Sequence, residues 1–134
     1  MMTSPHEKYR QNAVQTSPAQ LLIMTYDGAI RFVKTAIHGV ENGDIEKANL
    51  FFGKAQTIVF ELMATLDRSY EISESLFSLY EYMNHLLIQA NIKKSKELAE
   101  EALGYLCDLK ETWIEASKLD SATPAPSVGS AVNV

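Results

Sequence analysis

The sequence predicts an all-α protein, an antiparallel up-down-up-down four-helix bundle with an N-terminal arm and a disordered C-terminal tail. Three observations carry this expectation. Apolar residues recur at three- and four-residue spacing through four stretches of about 20 residues, helix breakers and capping residues separate those stretches, and no alternating strand pattern interrupts them. Helices of that length joined by short loops favour antiparallel neighbours. The expected organisation is an arm over 1–17, a bundle over 18–119 and a tail over 120–134.

The first helix starts at Thr16-Ser17-Pro18. Ser17 is placed to cap, Pro18 occupies a first helical position where a missing N–H costs nothing, and Gln20 completes the spacing of a capping box. Leu22, Tyr26, Ala29, Val33, Ala36 and Val40 line its inner face. Ile23, Ile30, Ile37, Leu21 and Phe32 widen that face, so this helix is expected to have neighbours on more than one side. Gly43 suits a left-handed turn and Asp44 caps the second helix, which buries Ala48, Phe52, Ala55, Val59, Leu62 and Leu66.

Asp67 to Glu71 reads as a loop, with Ser73 as the cap of the third helix and Leu76, Leu79, Tyr80, Met83, Leu86, Leu87 and Ala90 inside. Asn91 to Lys94 reads as a connection and Ser95 as the cap of the fourth helix. Its inner residues are Leu98, Ala102, Tyr105, Leu106, Leu109, Trp113 and Ala116. From Asp120 two prolines and small residues replace the pattern, which reads as tail.

Composition narrows the function classes. Lys and Arg total 12 against 17 Asp and Glu, a net charge of -5, which argues against nucleic-acid binding; Lys93, Lys94 and Lys96 read as a solvated helix end. No apolar run reads as a membrane span or signal peptide, and the single cysteine, Cys107, has no partner for an internal disulfide, so the expected compartment is a reducing cytoplasm. His38 and His85 fall on outer faces, no Glu-x-x-His pair is present, and neither a phosphate loop nor a nucleophile elbow occurs. No enzyme activity, metal or cofactor is expected.

The sequence holds more apolar side chain than four facing stripes use. Met24, Leu50, Phe60, Phe77, Ile88, Leu103 and Ile114 point off the main seam. Phe77 with Ile88, and Leu103 with Ile114, are each eleven residues apart, about three turns, and are expected to form the two walls of a groove for an amphipathic helix. Tyr82 is the best surface candidate among the tyrosines, whereas Tyr80 and Tyr105 read as core residues with hydroxyls at the rim. Gly28, inside a helix, reads first as a close helix contact and alternatively as a partner contact.

Five motifs in order resemble the FliS family of flagellar export chaperones. They are the arm Y-R-Q-N-A-V-Q-T-S-P, Met24 to Ala29, Lys54 to Leu62, Leu79 to Met83 with Gln89 to Asn91, and Leu109 to Trp113. The resemblance implies a cytoplasmic chaperone that binds the disordered carboxyl-terminal segment of flagellin, prevents premature polymerisation and keeps it fit for export. It also implies the export gate protein FlhA as a partner; a weak homodimer is a separate expectation. The partner-binding set is Tyr9 and Val14 from the arm, Phe52, Gln56 and Phe60 from the second helix, and Phe77, Tyr82, Ile88, Leu103 and Ile114. Tyr9 enters that set through the resemblance. The alternative is a structural homo-oligomeric bundle subunit without a client.

Overall fold

A computed structural model describes residues 17–122. They form four helices, α1 (Pro18–Glu41), α2 (Ile45–Thr65), α3 (Ile72–Lys93) and α4 (Lys96–Ala122), with no strand among the described residues. Each helix packs on its chain neighbours and α4 closes the ring on α1, the adjacency of an up-down-up-down bundle.

Local chemistry sets most of the helix ends. Ser17 Oγ accepts from Gln20 N at 3.1 Å with Pro18 at the first position of α1, and Asp44 Oδ1 accepts from Lys47 N at 3.1 Å to start α2. Each such cap contributes about 1 kcal/mol. Gly43 takes φ +70° in the α1–α2 turn, as its lack of a Cβ permits. Gly39 is required for another reason: a Cβ there would lie 2.9 Å from Ala48 N, so the two helices meet backbone to backbone.

Three boundaries differ from expectation. Ser73 does not cap α3; the helix begins at Ile72, and Ser73 is fully buried with Oγ donating to Tyr70 O at 2.6 Å. A hydroxyl that bonds its own preceding turn has no need of an exposed cap position. Asn91 to Lys93 continue α3 rather than connect, and Lys94 alone turns left-handed at φ 49° before Ser95 Oγ accepts from Leu98 N at 3.2 Å. α4 runs on to Ala122, past the Asp120 boundary.

The core follows the expected stripes. All six inner residues of α2 are buried, as are Tyr26, Ala29, Val33 and Ala36 of α1. Its centre is polar: Tyr26 Oη and Tyr80 Oη share a hydrogen bond of 2.5 Å across the bundle, and Trp113 Nε1 donates to Tyr26 Oη at 3.2 Å. This joins α1, α3 and α4 through satisfied buried groups, which specify one packing arrangement. Tyr80 thus departs from its expected rim position, since its hydroxyl lies inside.

Candidate functional site

The off-seam apolar residues do not meet in one groove. Leu103 of α4 stands seven residues from both Lys96 and Lys110, and those lysines reach α1, pairing with Glu41 at 2.8 Å and Asp27 at 2.6 Å. Leu103 and Ile114, four residues beyond Lys110, therefore lie on the flank of α4 that faces α1, half-buried against the core. Phe77 lies on the other side of the bundle, with the Arg68 guanidinium of the α2–α3 loop 4.3 Å from its ring centroid. The expected pair of groove walls is overturned, because two lines can share a register yet fall on opposite flanks.

The α3–α4 side is closed instead by tyrosines. Tyr82, about 120–140° around α3 from Phe77 and Ile88, meets Tyr105 edge-to-face at 5.9 Å and donates to Glu101 Oε2 at 2.7 Å. That bond to a carboxylate holds its phenol above the ordinary range. Tyr82 remains 43% exposed.

Gln56 and Phe60 lie on the flank of α2 that faces α3, and Phe77 and Ile88 share one flank of α3. Asn49, seven residues before Gln56, accepts from Lys94 Nζ at 2.6 Å at the end of α3, which places this flank of α2 toward α3. Phe60 is 54% exposed there. Asn84 lies between Phe77 and Ile88 on the α3 flank; it is buried, and its Oδ1 has no donor among the described groups. Phe52 leaves the contact set, since it is fully buried in the core and presents no surface. Tyr9 and Val14 lie outside the described residues.

The periodicity did not reveal a second surface, a groove between α1 and α2. One part, about 500 Å³, is lined by Met24, Gly28, Arg31, Phe32, Ile58 and Glu61 among others. It continues through Thr25 and Glu61 to Pro18, Leu21 and Thr65. From Pro18 to Phe32 this spans roughly 20 Å of helix. A Cβ on Gly28 would lie 3.5 Å from Ile58 Cδ1, an ordinary contact, so close packing within the bundle does not require glycine there. That overturns the first reading of Gly28.

At the far end the Phe32 and Phe51 rings meet tilted at 46°, centroids 5.8 Å apart, with Lys54 Nζ 5.5 and 5.2 Å from their centroids and Arg31 Cζ 6.0 Å from Phe32. Neither cation makes an ion pair among the described residues. The signals available in the sequence were Gly28, which costs about 1 kcal/mol in a helix, and the widened face of the first helix.

This architecture defines a helical-bundle scaffold with a groove on one flank of α2 and exposed apolar side chain on the other. The family model described as "Flagellar protein FliS" matches residues 2–120. The flagellar secretion chaperone FliS of Bacillus subtilis strain 168 is 40% identical over 114 residues, covering 84% of this chain and 86% of that protein. The FliS proteins of Salmonella typhimurium (35% over 107 residues, 78% of this chain and 79% of that protein) and Campylobacter jejuni (33% over 113 residues, 82% and 88%) are similar. The chain belongs to the FliS family. No described helix is long and apolar enough to cross a membrane.

Proposed function

We propose that this chain is a cytoplasmic, non-catalytic export chaperone that binds the disordered carboxyl-terminal segment of flagellin, prevents its premature polymerisation and keeps it competent for export. The observation that carries the reading is the family match over residues 2–120. The geometry supports it: α2 offers the α1–α2 groove on one flank and Gln56 and Phe60 on the other, beside the α3 helix that carries Phe77 and Ile88, so one unfolded client can cover both. Such a client pays its ordering entropy on binding and gains by burying apolar surface along a preformed scaffold. Tyr9 stays in the proposed contact set through the family resemblance and Val14 as an apolar residue of the same arm, and the loaded complex is the form presented to FlhA.

The test is flagellin polymerisation followed by light scattering, with and without one equivalent of the chain. Polymerisation is expected to stop in its presence, and a Phe60→Ala/Phe77→Ala variant is expected to need about tenfold more protein for the same effect. Unchanged polymerisation with the wild-type chain contradicts the reading.

A further inference from the structure

Resting on that reading, we propose that the α1–α2 groove takes an amphipathic helical segment of the client bearing a carboxylate side chain, which docks between Arg31 and Lys54 at the Phe32–Phe51 end. The groove floor is formed by Met24, Gly28 and Ile58. Its length, roughly 20 Å, matches about 14 residues of helix. Gly28 leaves room for a partner's backbone to approach α1 without a side chain between them, which accounts for a glycine that the bundle's own packing does not require.

Charge selects the occupant. Asp27, the one acid beside the floor on α1, is already engaged by Lys110 at 2.6 Å. Arg31 and Lys54 are not engaged by any described acid, and both sit within about 6 Å of aromatic ring centres, where an arriving carboxylate finds two cations and an apolar wall. Glu61 lies seven residues along α2 from Lys54, about 10 Å away, and it has no ion pair among the described residues. The groove is therefore positive at the Phe32–Phe51 end and negative at its middle. It orients a segment whose acidic residue meets Arg31 and Lys54 and whose basic residue, about two turns away, meets Glu61. Exposed charges of this kind act mainly on encounter and orientation, so the attraction weakens with salt.

The experiment titrates the full chain by calorimetry with the carboxyl-terminal segment of flagellin, roughly 50 residues, at low and physiological ionic strength. The wild type, Arg31→Glu/Lys54→Glu and Gly28→Leu are compared. Each variant is expected to lose about tenfold in affinity, the wild type to weaken with salt, and the charge variant to lose that dependence. Retained helicity and melting temperature in Gly28→Leu show that the groove was filled and the bundle kept. If the wild type does not bind the segment, the chaperone reading itself falls. Binding by the wild type with equal affinity in both variants overturns the groove inference alone. A homodimer that dissociates in Gly28→Leu assigns the groove to a second copy. A charge effect that vanishes when residues 1–16 are removed assigns it to the chain's own arm. Either result overturns the proposal.

Discussion

The two flanks of α1 are built from similar residues and finished in opposite ways. Toward α4 its acids are answered: Asp27 holds Lys110, Glu41 holds Lys96, and Leu103 and Ile114 lie half-buried behind those pairs. Lys96 draws the Glu41 carboxyl below its ordinary range, and both lysines are raised in turn. Toward α2 Arg31, Lys54 and Glu61 make no ion pair among the described residues, the aromatic pair carries cations within about 6 Å, and Gly28 leaves the floor open. A seam that holds the fold together pairs its charges internally, whereas a surface meant for a partner keeps them available.

Breaking the buried network beneath the closed side should have the largest effect on stability. Tyr26→Phe leaves the Trp113 indole N–H buried without its acceptor and removes the Tyr80 partner, a cost of about 1–3 kcal/mol. Denaturant unfolding should show that loss, while affinity for the flagellin segment stays unchanged; a matching fall in affinity would merge the two regions that the comparison separates. The same pair makes stability pH-dependent. Burial raises both phenols above their ordinary value, so the folded state prefers them protonated. Their contribution is complete below about pH 10 and declines as pH rises beyond it toward the folded values. Unfolding curves at two alkaline pH values on either side of 10 should show the decline, with a smaller slope in Tyr80→Phe.

Two glycines of α1 sharpen the contrast. Gly39→Ala forces a Cβ to 2.9 Å from Ala48 N and should destabilise by about 1–3 kcal/mol. Gly28→Ala meets only Ile58 Cδ1 at 3.5 Å and should stabilise by about 1 kcal/mol through helix propensity. Melting curves of the two variants decide it. A destabilised Gly28→Ala would mean that the bundle itself needs the glycine.

The sequence made the helices and their inner faces legible because burial follows a 3.6-residue period and Ser17, Gly43, Asp44 and Ser95 cap or turn through local chemistry. Ser73 departs from the capping pattern because a serine near a helix start can bond backward as well as cap. The site was only half legible. A helical wheel places Phe77 with Ile88 and Leu103 with Ile114, yet it cannot say which neighbour each flank faces; the Lys110–Asp27 pair and the Tyr82–Tyr105 contact decide that in space. The Tyr26–Tyr80 bridge joins positions far apart in the chain, which no local window registers.

The proposed client occupies the open flanks of α2 and leaves the α1–α4 seam alone. Methyl NMR of the full chain, recorded with and without the carboxyl-terminal segment of flagellin, reads both regions at once. The methyl signals of Met24 and Ile58 in the groove and Ile88 on the α2–α3 face should move, and those of Leu103 and Ile114 should not. Shifts confined to Leu103 and Ile114, with Met24 and Ile58 unmoved, would contradict it.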